Sequence, residues 1–407
     1  MTTQTVDQVA ELKTRTEAVV QARSDELVAL SHAIHANPEL SWEEHEAAAK
    51  VAGVLRDAGF AVEVGAYGVP TAIEAVYGDG DLTVAVCSEY DALPGIGHAC
   101  GHNMIAAAGV GAALALADVA DQAGLRVKLL GTPAEEHGGG KVSMLLEGAW
   151  EDVDFSMMTH GMSGDDRPCG GTENTAVGRF QVIFTGKPAH AAAVPEAGVN
   201  ALSAASVGLH AMALLRQHLL AEVNLNAFIS SGGEATNIIP ERAVVQVEVR
   251  ARDIELWQAT IKRVLACFEG GAIATGCTWT YETTEHPYAP VRTDPQLADL
   301  WNRNATALGR ELTGDQLGGG STDMGNVSQV VPAIHPMIAF RGETAVPHTA
   351  EFHAAAVGAG ADEAVIDAAI AMAWTVVDVA LDTELRAGFR ERTAQRPVGA
   401  TRTTLQF

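Results

Sequence analysis

Apolar positions recur at helical spacing from residue 5 to 36, with Val6, Val9 and Leu12, then Leu27, Leu30 and Ile34. Asn37-Pro38 should end this helix, because the residue before proline avoids helical backbone. Ser41 followed by Glu44 reads as a capping box opening the next helix, and Gly59 closes it. His32, His35, Glu43 and His45 in this region read as a solvated helix face. Past residue 60 the pattern predicts strands at 61–66, 72–77, 82–87, 127–130 and 155–159, with helices at 104–120 and 141–149. The runs 82–87 and 127–130 are apolar without alternation, as in strands covered on both faces. This is the layout of an α/β domain on a mainly parallel sheet.

The composition shifts near residue 171, where Gly170-Gly171 begins a loop. Arg179–Thr185 alternates as a half-buried strand, and Gly186-Lys-Pro-Ala-His190 is a turn. Asn200–Leu220 reads as an amphipathic helix. Strands at 225–230 and 243–250, a helix at 253–268 and a strand at 277–283 follow. Strand, helix, strand, strand, helix, strand is the ferredoxin-like split motif. After residue 288 the helix-and-strand alternation returns. The expected organisation is an α/β domain over 1–175 and 289–407, interrupted by an inserted α+β domain over 176–288.

Composition sharpens this picture. A chain of 407 residues suggests two or three domains, and 47% hydrophobic content supports a sizeable core. A net charge of −25 argues against nucleic acid and anionic membrane as partners, since both need a basic footprint. No uninterrupted run reaches the ~18 apolar residues of a membrane span. The start, MTTQTVDQVAELK, lacks the basic head and apolar core of a secretory signal. The five cysteines (Cys87, Cys100, Cys169, Cys267, Cys277) are sparse and odd in number. They fit a reducing, cytoplasmic setting better than a disulfide framework.

The chemistry concentrates in Ser88–Asn103. His98, Cys100 and His102 stand at i, i+2 and i+4, which in an extended loop puts all three on one side. Thiolate, imidazole and carboxylate together suit zinc or a similar ion. Glu89 and Asp91 follow the strand at 82–87, Glu135 and Glu136 follow that at 127–130, and His160 follows that at 155–159. Each group falls just past the carboxyl end of a strand, where open α/β sheets bind ligands. The Gly-rich loop Gly318–Ser328 lacks the P-loop lysine and is a weak phosphate cradle.

Several motifs together resemble a family. They are His35-Ala-Asn-Pro-Glu-Leu40, Tyr90-Asp-Ala-Leu-Pro, His98-Ala-Cys-Gly-His102, Pro133-Ala-Glu-Glu136, Gly186-Lys-Pro-Ala-His190 and Thr236-Asn-Ile-Ile-Pro240. In this order, over residues 25 to 380, the chain resembles the zinc-dependent amidohydrolases and peptidases typified by aminoacylase and carboxypeptidase G. The similarity points to the branch of aminobenzoyl-glutamate hydrolase and the indole-acetyl-amino-acid hydrolases. The resemblance implies a two-metal catalytic domain and an inserted lid that forms a homodimer. It implies two divalent ions, zinc foremost, with manganese or cobalt as alternatives. Their ligands would be Cys100, His102, Glu136, His160 and His348, with His353 the alternative to His348 and the Cys100 thiolate shared. Glu135 would be the general base for metal-activated water, and Asp91 would orient a ligand. His190 and Asn237 on the lid would reach the partner subunit's site, and Arg250 would bind a substrate carboxylate. The wider family's His-X-Asp ligand histidine is absent, with Glu89-Tyr-Asp91 in its place; Glu89 is not counted as a ligand, and His98 is read as a neighbour. The substrate would be an N-acyl or aminoacyl amino acid, cleaved at its amide. Two other readings remain open: a metal-free amidohydrolase with Cys100 as nucleophile, and a non-catalytic binder of amino-acid-like ligands.

Overall fold

The computed structural model describes residues 3–170, 172–314, 317–318 and 320–405. Gly319, inside the Gly-rich loop noted above, lies outside the described residues. Two compact units emerge, one within Met1–Glu173 and Val291–Thr403, the other within Asn174–Pro290 and Thr404–Phe407.

The first unit holds a sheet in the order Ala61–Val64, Ile73–Tyr77, Leu125–Gly131, Leu82–Ser88, Phe155–Met157, Ala333–Ile334. The first three strands pair antiparallel and the last four pair parallel, so the sheet is mainly parallel. Leu82–Ser88 is buried at every position, which is why its sequence does not alternate. Its register with Leu125–Gly131 sets Cys87 opposite Leu130 and Ser88 opposite Gly131. The two strands therefore end level, and the segments that follow them emerge side by side.

The helix His102–Ala123 lies behind these strands and is buried along most of its length. Small residues permit the close approach. A Cβ on Gly109 would come 2.3 Å from Ser88 Oγ, and one on Gly111 would come 2.9 Å from Ala369 Cβ. Ala369 belongs to the helix Ala359–Leu381. By length and composition both helices could cross a membrane, contrary to the run-based reading, which scattered polar residues such as Asn103 defeat. Their apolar windows are 89% and 72% buried inside the protein, as core helices are.

Other expectations need correcting. The N-terminal helix is two helices, Thr3–Ala22 and Ser24–His35, broken at Arg23. The capping box does not form. The next helix, His45–Asp57, starts after Glu44, whose carboxylate turns inward and accepts from Trp42 N, Ala134 N and Thr71 Oγ1. Ser41 Oγ instead donates to Asp91. Buried polar groups outbid the helix end for both side chains. His32 and His35 are not merely solvated either: His32 pairs with Asp362, and His35 Nε2 donates to the His353 carbonyl.

The second unit is a four-stranded antiparallel sheet in the order Thr278–Thr283, Ala176–Thr185, Arg242–Ala251, Asn224–Ser231. Helices Ala201–Leu215 and Ile254–Thr275 pack over a core that includes Phe180, Phe184, Val245, Trp257 and Phe268. This order is that of the ferredoxin-like split motif. The first helix stops at Leu215, short of residue 220, and continues as a 3-10 turn, Arg216–His218. The second runs beyond residue 268 to Gly276, whose φ of +78° ends it.

Candidate metal centre

The level strand ends deliver their acids to one place. Glu89 and Asp91 follow Leu82–Ser88, and Glu135 and Glu136 follow Leu125–Gly131. His102 opens the long helix after Gly101, whose φ of +82° turns the chain into it. His160 stands just past Phe155–Met157 and starts the short strand His160–Met162.

His102 is the hub. Its Nδ1–H donates to Asp91, to the carbonyl at 2.9 Å and to Oδ1 at 3.0 Å, which leaves the Nε2 lone pair facing the acids. Nε2 lies 3.6 Å from Glu89 Oε2, 3.8 Å from Glu135 Oε2 and 3.8 Å from Glu136 Oε1. Asp91 Oδ2 meanwhile accepts from Ser41 Oγ at 2.9 Å and Glu136 N at 3.0 Å, so one carboxylate ties three segments together. His160 Nδ1–H donates to the Gly161 carbonyl, and its Nε2 lies 3.5 Å from Cys100 Sγ. His348 Nε2 is 3.8 Å from Glu136 Oε1. Among the described residues, three sets of donor atoms lie within 4.8 Å of one another: Cys100 with His102 and His160, Cys100 with Glu136 and His348, and Glu89 with His102 and Glu135.

The test of a cation here is what the buried atoms lack. Glu89 Oε2, His102 Nε2 and Glu136 Oε1 are buried with no hydrogen-bond partner, and they converge. Unsatisfied buried polar atoms cost about 1–3 kcal/mol each, so native proteins rarely gather them without a ligand. The donor set of sulfur, imidazole and carboxylate suits a borderline divalent ion. The electrostatics agree. Burial alone would lower His102, but the charge and hydrogen bond of Asp91 hold it well above its ordinary value. A field that holds a proton there would also hold a cation. Burial, then the charges of Glu89 and Glu136, push the Glu135 carboxyl well up. Burial, then the charge of His102, takes His160 down to about 4, a neutral imidazole fit to coordinate. Burial, then the charge of Glu136, pushes the Cys100 thiol well up, opposite to the activation a metal-free nucleophile needs.

The geometry separates the histidines. His348 reaches the cluster, whereas the His353 ring stacks on His35 at 4.0 Å. The segment 98–102 is not extended, because Gly97 and Gly101 both take positive φ. His98 is in none of the three donor sets, and its ring lies 6.1 Å from that of His35. Two non-glycine residues beside the donors, Ala134 and His348, have φ of 57° and 65°. Such left-handed backbone costs about 1–2 kcal/mol and clusters at working sites.

His190, Asn237 and Arg250 belong to the second unit. His190 is exposed, and its Nδ1 accepts from Ala192 N and Ala193 N, at 3.2 and 3.1 Å. Asn237 is exposed, with its carbonyl accepting from Ala191 N. Arg250 is engaged by Glu248, through Nε at 2.8 Å and Nη2 at 3.1 Å.

Sequence reasoning missed Lys141, Asp323, Glu44 and His335, all buried. Lys141 pairs with both Glu89 and Asp323, at 2.8 Å to the latter. Glu44, raised to about 7 by burial and then by the charge of Asp91, holds Ala134 N–H at 2.8 Å and so braces the loop that carries Glu135. His335 follows the sheet's last strand, and its ring lies 5.6 Å from that of His160. Position after a buried strand could have flagged His335. Lys141 and Glu44 read as ordinary helix residues.

A mainly parallel α/β sheet with these donors gathered at its carboxyl edge has the make-up of a metal-dependent hydrolase. Residues 75–365 match Peptidase family M20/M25/M40, and the chain belongs to that family. It is 37% identical over 399 residues to a Mus musculus Xaa-Arg dipeptidase, covering 93% of this chain and 91% of the relative. It is 31% identical over 282 residues to a p-aminobenzoyl-glutamate hydrolase component of Escherichia coli, covering 63% of this chain and 58% of the relative. The fold is shared with a Bacillus subtilis protein described as a dinuclear metal-binding peptidase, at TM-score 0.64 and 22% identity, over 88% of this chain and 99% of that one. The protein is thus a metal-dependent hydrolase of amide or peptide bonds. Neither the cysteine-nucleophile reading nor the binder reading gains support.

Proposed function

We propose that the protein hydrolyses the amide bond of N-acyl or aminoacyl amino acids, using two divalent ions, with zinc foremost and manganese or cobalt as alternatives. The observation that carries this reading is the convergence of unpartnered Glu89 Oε2, His102 Nε2 and Glu136 Oε1 beside Cys100 and His160. Cys100, His102, Glu136, His160 and His348 would hold the ions. Cys100 belongs to two of the three donor sets, which supports a shared thiolate. When bound, such ions supply Lewis acidity that activates water and polarises a carbonyl.

The chain's own residues do the rest. Asp91 fixes the His102 tautomer, a carboxylate–histidine pairing typical of metal sites. Glu135, with its affinity for protons raised by burial and neighbouring acids, takes a proton from the attacking water and passes it to the leaving amine. His190 keeps its proton on Nε2, because two backbone N–H groups occupy Nδ1. That leaves a donor for the oxyanion of the tetrahedral intermediate. Arg250 binds the substrate carboxylate by exchanging Glu248 for it, and Asn237 adds an amide contact. The relatives named for dipeptides and for aminobenzoyl-glutamate support a substrate ending in a free carboxylate. The lid unit forms the homodimer, so His190 and Asn237 serve the partner's site. The protein works in the cytoplasm on small molecules, not on nucleic acid or at a membrane.

The test is metal analysis of the purified protein with a panel of N-acyl amino acids and dipeptides, including Xaa-Arg. Glu135→Ala should lose about 10²–10⁴-fold in rate while keeping its ions. Turnover unchanged after exhaustive chelation overturns the reading.

A further inference from the structure

We infer that Glu89 is an additional metal donor, aimed from behind by a buried Lys141–Asp323 pair. The inference rests on the two-ion reading above. Glu89, Lys141 and Asp323 are all fully buried. Lys141 Nζ donates to Glu89 Oε1 and, at 2.8 Å, to Asp323 Oδ1. Lys141 N donates to Asp323 Oδ2, also at 2.8 Å, so the lysine's root and tip are both anchored. One oxygen of Glu89 is thereby pinned. The other, Oε2, has no hydrogen-bond partner and lies 3.6 Å from the equally unpartnered His102 Nε2.

A counter-ion role for Glu89 explains only half of this. Asp323 alone balances the Lys141 charge, and pairing with lysine does not require a second oxygen buried bare against an imidazole. A metal donor explains both oxygens, since ligating carboxylates are typically held by hydrogen bonds on their far side. Glu89 also shares a donor set with His102 and Glu135. It is fully buried and held by Lys141, and a ligand must be kept still.

The test reads metal content, not turnover. Wild type, Glu89→Gln and the double variant Glu89→Gln/Lys141→Met are loaded with Zn2+ and desalted, and zinc per chain is measured by mass spectrometry. Calorimetric titration with Mn2+ gives the affinities. Wild type should hold two ions. Both variants should hold one firmly and bind the second at least tenfold more weakly, while the double variant regains thermal stability lost by the single one. Two ions at unchanged affinity in folded Glu89→Gln overturns the inference. So does recovery of the second ion in the double variant, since the loss would then belong to the buried charge of Lys141 and not to the missing oxygen donor. Should Glu89→Gln not fold, Glu89→Asp decides: it keeps the charge and withdraws the oxygen by one methylene, and unchanged second-ion affinity there overturns the inference. Wild type without any ion would instead overturn the two-ion reading itself.

Discussion

Asp91→Asn isolates the contribution of orientation at this site. Asp91 is buried, and both its oxygens are committed: Oδ1 to His102 Nδ1–H, and Oδ2 to Ser41 Oγ–H and Glu136 N–H. Burial pushes its carboxyl up, but the charge of His102 and these bonds hold it well below the ordinary range. Asparagine has one oxygen for two sets of donors. If the oxygen faces His102, the amide NH2 confronts the Glu136 N–H, which cannot turn away. If it faces Glu136, the NH2 confronts Nδ1–H, which keeps only the Asp91 carbonyl as acceptor and loses its charged partner. Either choice loses a charge-assisted hydrogen bond, worth about 1.5–3 kcal/mol. At about 1.4 kcal/mol per tenfold, metal affinity should weaken by roughly 10–100-fold, as is usual for such partners of a ligand. The assay is competition with a chromophoric chelator at neutral pH, with near-ultraviolet circular dichroism to confirm the fold. Activity should fall at limiting metal and largely return at excess metal, because Asp91 is not the proton carrier. Affinity within twofold of wild type, in a folded variant, refutes the reasoning.

Three further outcomes are expected. In the metal-free protein, the unfolded chain's His160 takes up a proton near pH 6.5, whereas the folded one stays neutral until about 4. The folded value is the lower one, so the His160 contribution to stability should decline as pH falls through that window, by at most about 3 kcal/mol; a difference in urea midpoint between the protein and its His160→Gln variant that does not change between pH 7 and 4 counts against it. Gly140→Ala should cost about 1–3 kcal/mol, because its Cβ would stand 1.9 Å from the Pro133 carbonyl oxygen; Gly53→Ala, with nothing within 4 Å, should gain up to about 1 kcal/mol, and equal melting temperatures would sink the comparison. If His190 acts in the partner's site, mixing Glu135→Ala with His190→Ala subunits should restore roughly a quarter of the sites, and no recovery despite proven subunit exchange discards that role.

Much of the first unit was legible because burial leaves a mark on sequence. Leu82–Ser88 lacks alternation because it is covered on both faces, and that placed Glu89 and Asp91 at a strand's carboxyl end. The antiparallel strand Ala176–Thr185 alternates because only one face is packed, which exposed the change of architecture near it. What stayed hidden depends on contacts between distant segments. Glu44 looks like a capping residue until Ala134, 90 positions away, offers its N–H. Lys141 looks like a solvated helix residue until Asp323, 182 positions away, takes its ammonium. The expected row of His98, Cys100 and His102 failed for a local reason. Alternation requires extended backbone, and the positive φ of Gly97 and Gly101 breaks it. His353 and His348 differ in sequence only by context; backbone at φ 65° turns one toward Glu136, and stacking on His35 fixes the other.

Several costs of this fold meet at the site. Left-handed backbone at Ala134 and His348, three of the buried atoms without partners and four carboxylates near one imidazole lie around the same donors. Each alone would destabilise by about 1–3 kcal/mol. The long helix behind the strands shows the opposite character: Gly109 and Gly111 let it seat against strand and helix, with no acid within its packed face. A chain that merely needed to be stable would have no use for such concentration. Cation binding changes the sign of these terms, because the atoms that repel one another or lack partners become donors to one charge. At a free ion concentration of about 100 times Kd, that linkage adds about 2.7 kcal/mol to the folded state. Stability and catalysis are therefore coupled here through the same carboxylates, and a substitution that relieves the strain should weaken the grip on metal in proportion.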